Sequence, residues 1–254
     1  YIGYIDAGII ILDIADKARP NMISRLDYHP PFPGFTHTVL LGMGGSSLAP
    51  EVMQSVLGNA AGFPKLLTLD STDPGRVKDV ESQIDLAKTL FIVSSKSGGT
   101  IEIVSFFKYF YERVKSVRAD NPGGVFIAIT DPGTALETSA KQHKFRKVFL
   151  APEDVGGRFS ALSVFGLVPA AVIGADITKL LNGAERMMAQ CSMEVSLADN
   201  AAFALGVCMA VLAEEHGVTP EDARLLARIS GGNVGWAVAA VANPRLLEER
   251  QRRL

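Results

Sequence analysis

The sequence predicts an α/β fold: a doubly wound, five-stranded parallel sheet with helices on both faces, followed by a helical C-terminal extension. Three observations predict it. Short, continuous apolar runs recur from Thr36 onward, the pattern of strands buried on both faces. Stretches with apolar residues at helical spacing separate those runs. After Ala151 the strand-like runs stop and only helical patterns follow.

Taken in order, residues 1–35 give the weakest pattern. Tyr1 to Ala18 reads equally as helix or strand, and the three prolines of DYHPPFPGF (27–35) favour an extended linker. HTVLLGM is the first buried strand of the sheet and SLAPEVMQSVL its helix. KLLTLDS is the second strand, with a helix from about Pro74 to Ile84. TLFIVSS is the third, and IEIVSFFKYFYERVKSV is a long helix whose clustered aromatic residues read as core rather than as a stacking platform. GVFIAITD is the fourth, with a helix opening near Pro132 or Thr134, and FRKVFLA is the fifth. LSVFGLVPAAVIGA, ITKLLNGAERMMAQC and NAAFALGVCMAVLAEEHG read as successive helices. The expected domains are an N-terminal segment (1–35), the sheet domain (36–195) and a helical extension (196–254).

Composition narrows the function. With 254 residues, 48% hydrophobic and 20% charged, the chain has enough apolar surface for a substantial core. A formal net charge of -2 gives no electrostatic reason to expect nucleic acid as a partner. No apolar run is long enough to cross a bilayer, and the first residues lack a signal-peptide pattern, so a membrane partner is not expected and a cytoplasmic protein is. Cys191 and Cys208 fall in apolar helical patterns and read as buried thiols rather than a disulfide. His29, His37, His143 and His216 show no metal-ligand spacing.

Ligands of an open parallel sheet bind outside the carboxyl ends of its strands, and three loops fall there. GMGGSS (42–47) follows the first strand; its glycines admit close backbone approach, and Ser46 or Ser47 is placed to cap the helix. SSKSGGT (94–100) follows the third strand and offers four hydroxyls where one N-cap needs one. Its amides open a helix, so a phosphate is the reading that fits. DVGGRFSALS (154–163) carries Arg158 in a glycine-rich turn. Each loop has a plainer structural reading as a turn or cap, which SSKSGGT exceeds. No Walker A loop is present. GMGGSS approaches a dinucleotide fingerprint, but Ser47 replaces the third glycine, and that reading leaves SSKSGGT unexplained.

VLLGMGGSSLAPEV, LDSTDPGRV, FIVSSKSGGTIE, AITDPGTALE and GGRFSALSVFGLVPAA, in this order, resemble the glucose-6-phosphate isomerase family. The likeness runs from about Phe35 to Cys191 and is closest to the isomerase part of bacterial transaldolase/phosphoglucose isomerase fusions. It implies a SIS domain, the sugar-phosphate-binding α/β layer of that family. By position, it puts the phosphate against Ser95, Lys96 (through its backbone), Ser97 and Thr100, with Gly45 and Ser46 along the sugar. Gly157 and Arg158 would lie near the reacting carbons. Gly99 departs from the threonine usual in the family.

The resemblance implies aldose–ketose isomerisation by a glutamate base through an enediolate, with no metal or organic cofactor and with a homodimer as the family expectation. Arg158 is then the candidate catalytic residue, stabilising negative charge as it develops. The family's base, ring-opening histidine and C-terminal lysine belong to a second SIS domain, which this chain is too short to include. Glu214, Glu215 and His216 read as a charged helix end. The expectation is therefore a chain that binds the sugar phosphate but does not isomerise it alone. A non-catalytic sugar-phosphate sensor is the alternative. The tail from about residue 217 is unlike the family and faintly resembles the helical region of bacterial clamp-loader delta-prime subunits; with the unmatched first 35 residues, it suggests a truncated or joined reading frame, or an unusual family member.

Overall fold

A computed structural model describes residues 2–5, 8–13, 21–27 and 34–215, with side chains from Gly34 to Val207. The proline-rich segment expected to be a linker falls mostly outside the described residues. The ambiguous N-terminal stretch contributes β1 (Ile2–Ile5), β2 (Gly8–Asp13) and β3 (Asn21–Asp27), paired antiparallel in that order. The chain divides into two compact units, Tyr1–Leu181 and Asn182–Leu254.

The first unit holds the predicted five-stranded parallel sheet. Its strands are β4 (His37–Gly42), β5 (Lys65–Leu69), β6 (Thr89–Ser94), β7 (Phe126–Thr130) and β8 (Lys147–Leu150). Their order is β5-β4-β6-β7-β8. The chain leaves β4 toward one side for β5 and crosses back to β6 on the other, so the order reverses between β4 and β6. That reversal opens a crevice at the carboxyl ends of those two strands.

Alternation along each strand sorts the core into two layers. Leu40, Leu66, Leu90, Ile92, Ile127, Ile129 and Phe149 pack with α5 (Val164–Val172). Met53 of α1 (Gly45–Leu57) and Leu180 of α6 (Ile177–Gln190) close over the same layer. Val39, Leu41, Leu69, Phe91, Val93 and Phe126 face the opposite way. There they pack with α3 (Ile101–Val117), alongside Val80 of α2 (Pro74–Ser82) and Leu136 of α4 (Ala135–Gln142). Every residue of α5 is buried, so it is apolar all round. The aromatic cluster of α3 is core, as expected: Phe106, Phe107 and Phe110 are buried, and Phe91 stacks on Phe126.

The second unit contains α7 (Ala201–Glu215), the last described helix. Cys191 corrects the expectation of a buried thiol: it is free and half-exposed just beyond α6. Cys208 has its side chain outside the described residues. Among the described residues, no helix is long and apolar enough to cross a membrane.

Candidate functional site

A cavity of about 430 Å³ opens at the carboxyl ends of β4 and β6. Its wall includes Gly45, Ser46, Ser95, Lys96, Ser97, Thr100 and Gly157, which brings the three glycine-rich loops to one place. It also includes Met43, Ser94, Ile103 and Asp131, which the sequence reading did not select. Asp131 ends the AITD run after the fourth strand, and its position at the same sheet edge was the available signal.

The loop between β6 and α3 is held from below. The Ser95 amide donates to the Ile129 carbonyl at 3.0 Å, while the Lys96 carbonyl accepts from the Asp131 amide at 3.2 Å. Gly98 has φ +65°, and a Cβ there would lie 2.5 Å from the Thr134 Cβ, so only glycine fits this bend. Ser95 Oγ accepts the Gly98 amide at 3.2 Å and Ser97 Oγ the Gly99 amide at 3.4 Å.

Thr100 is the N-cap of α3, yet its hydroxyl accepts no amide of that helix. It meets Ser95 Oγ at 3.1 Å and Ser97 Oγ at 3.5 Å instead. Among the described residues, the amides of Lys96, Ser97 and Thr100 have no main-chain or side-chain acceptor. Those amides, the open first turn of α3 and three linked hydroxyls form a concave set of donors, the arrangement that holds an anion.

The loop between β4 and α1 is built otherwise. Gly44, with φ 57°, is the N-cap of α1, and neither Ser46 nor Ser47 caps the helix, which corrects the expected role. Ser47 Oγ donates back to the Gly44 carbonyl at 3.2 Å. Pro50 lies inside α1 and has no amide to offer the carbonyl of Ser46, which accepts Ser94 Oγ at 3.3 Å. The helix and the β6 end are thereby tied together. Gly45 presses against Gly157, whose carbonyl oxygen would lie 2.5 Å from an added Cβ. That close approach brings the third loop to the cavity.

Arg158 is the one selected residue that does not line the cavity. It is exposed in the short 3-10 turn Gly157–Leu162, directly after the lining Gly157. Lys96 places its ammonium 2.6 Å from Asp131 Oδ2 and 3.3 Å from the Glu153 carbonyl. At α4, Thr134 Oγ1 accepts the Glu137 amide, and the Glu137 carboxylate accepts the Gly133 amide. The Lys141 ammonium first, and then the Gly133 amide, hold the Glu137 carboxyl below its usual range. Among the described residues, no group of three or more His, Cys, Asp or Glu side chains could hold a metal ion.

The chain is similar to several known proteins. The glucose-6-phosphate isomerase of Carboxydothermus hydrogenoformans is 35% identical over 192 residues, covering 72% of this chain and 41% of that protein. That of Prochlorococcus marinus is 38% identical over 157 residues, covering 60% of this chain and 29% of its own length. The crystal structure of a hypothetical protein from Thermus thermophilus superposes with a TM-score of 0.64 at 31% identity, covering 72% of this chain and 42% of that one. The chain thus spans less than half the length of the relatives it matches. The family profile described as Phosphoglucose isomerase matches residues 31–226, and with that match the chain belongs to the phosphoglucose isomerase family.

Proposed function

We propose that this chain supplies the sugar-phosphate-binding half of a glucose-6-phosphate isomerase, which interconverts glucose 6-phosphate and fructose 6-phosphate. The carrying observation is the uncapped start of α3 inside the cavity, with the Thr100 hydroxyl turned to Ser95 and Ser97 rather than to its own helix. A phosphate dianion there takes the hydroxyls of Ser95, Ser97 and Thr100 and the free amides of Lys96 and Ser97. The sugar then extends along Gly45 and Ser46 toward Gly157. Gripping the phosphate remote from C1 and C2 orients the reacting carbons.

Arg158, beside Gly157, stabilises the enediolate by charge, and its exposed position leaves it free to turn inward. Among the described residues, the cavity wall carries one carboxylate, Asp131, and neither glutamate nor histidine. The proton-transferring base therefore comes from outside this wall. A homodimer and a cytoplasmic location belong to the same reading; light scattering on the purified chain tests the first.

Calorimetric titration with 6-phosphogluconate tests the site. Removing one hydrogen bond to a charged ligand weakens binding roughly tenfold, the expected result for Ser97→Ala and for Thr100→Ala. Unchanged affinity in both variants overturns the assignment. A coupled assay tests the missing base, because turnover of fructose 6-phosphate by the isolated chain is incompatible with a binding half alone. The lack of glutamate and histidine on the cavity wall also favours a second reading, a non-catalytic sugar-phosphate-binding module. Absence of turnover by the native full-length protein would select it.

A further inference from the structure

We propose that Lys96 is a positioning residue, whose ammonium straps the phosphate loop to the ends of β7 and β8 and neutralises Asp131 instead of contacting the bound anion. The proposal rests on the phosphate-site reading above. A lysine in an anion-binding loop invites the opposite assumption, that its charge meets the phosphate. The geometry points elsewhere.

Lys96 Nζ sits 2.6 Å from Asp131 Oδ2, with both side chains mostly buried, 29% and 17% exposed. Its second contact is the Glu153 carbonyl at 3.3 Å, in the stretch that runs from β8 to Gly157. The same two residues are also joined through the main chain, because the Asp131 amide donates to the Lys96 carbonyl. Thr130 Oγ1 adds a bond to that carbonyl at 3.4 Å. One side chain therefore gathers the ends of β6, β7 and β8 around the cavity.

Asp131 supplies the reason for a strap. It lines the cavity proposed for a dianion, and its Oδ1 is buried without a hydrogen-bond partner. Of its two oxygens, only Oδ2 is balanced, and Lys96 balances it. Without Lys96, an unpaired carboxylate would face the phosphate at short range in a poorly screened site, raising the cost of binding. Lys96 thus favours the anion by cancelling a neighbouring negative charge and by fixing the loop whose amides do the binding.

This makes a prediction opposite to that of direct contact. Lys96→Met is expected to weaken 6-phosphogluconate binding about tenfold, as an unpaired charge is left behind. The double variant Lys96→Met/Asp131→Asn is expected to return to within about threefold of the native affinity, since the uncompensated carboxylate is gone. The slope of log Kd against log salt is expected to match the native slope in that double variant. If the ammonium held the phosphate directly, Asp131→Asn would rescue nothing and the slope would fall; either result overturns the proposal.

A ligand-free readout keeps it separable from the functional reading. In thermal unfolding of the four proteins of this cycle, the midpoint loss of the double variant should fall well short of the sum of the two single losses. Additive losses refute the strap. A native protein that binds no sugar phosphate refutes the functional reading and leaves the strap to this unfolding cycle.

Discussion

Among the described residues, α1 to α4 begin at the carboxyl edge of the sheet, and they begin in two different ways. At α2, Asp73 Oδ1 accepts the Arg76 amide at 2.9 Å and Pro74 opens the helix. At α4, Thr134 and Glu137 satisfy first-turn and preceding amides. At α1 and α3, no side chain caps the helix, although both starts are rich in serine or threonine. The capped pair lies away from the β4–β6 reversal; the uncapped pair flanks it. Hydroxyl content alone therefore does not distinguish a cap from a binding loop. What distinguishes them is the partner: Asp73 and Thr134 accept first-turn amides of α2 and α4, whereas Ser47 turns back to the Gly44 carbonyl and Thr100 to the hydroxyls of Ser95 and Ser97.

The largest effect expected from breaking this contrast is at Gly98. Gly98→Ala places a Cβ in a left-handed conformation and against Thr134, costing about 3 kcal/mol from strain and overlap together. Urea unfolding measures the loss, and sugar-phosphate binding should fall with it because the loop cannot keep its bend. Gly45→Ala should cost about 2 kcal/mol, since the Gly157 carbonyl it meets is main chain and must be pushed away. In that variant the gap between the first and third loops widens, so contacts to the sugar suffer more than contacts to the phosphate.

The next pair tests the two kinds of helix start directly. Asp73→Ala removes a true cap and should lower unfolding stability by ~1 kcal/mol, with ligand affinity unchanged. Thr100→Ala removes no cap, so its stability should change by less than about 0.5 kcal/mol while affinity drops roughly tenfold. Equal stability losses in the two variants would erase the distinction.

The sheet was legible because buried parallel strands write themselves as unbroken apolar runs, and TLFIVS is buried at every position. The helix from Pro74 was readable from its Asp-Pro start, although it stops at Ser82 rather than Ile84. The N-terminal strands were not legible, because apolar residues in Tyr1 to Ala18 suit either period. Seven of the eight chosen site residues meet at the cavity, because the loops after β4 and β6 must flank the reversal in strand order. Asp131 lies in the AITDPGTALE stretch that carries the resemblance but was not chosen as a site residue, and only β7 lying next to β6 brings it to Lys96. The capping role given to Ser46 and Ser47 failed for a different reason. Residue type allows a cap, but the turn at Gly44 and the contact of Gly45 with Gly157 accompany a helix start two or three residues earlier.

The smallest expected effect concerns the neighbour of Gly98. Gly99 has no positive φ, and an added Cβ would find only the Ser97 carbonyl at 4.0 Å. Two adjacent glycines in one loop are thus unequal: one is imposed by the bend, the other leaves open space. Gly99→Ala should therefore raise stability by about 0.5 kcal/mol, through the lower entropy of the unfolded chain. Its effect on affinity should stay within about twofold, because the Gly99 amide is already engaged by Ser97 Oγ and the side chain points to no hydroxyl of the set. If Gly99→Ala instead weakens sugar-phosphate binding as strongly as Thr100→Ala, loop mobility at Gly99 contributes to capture of the ligand, and the site is less pre-formed than its hydrogen bonds imply.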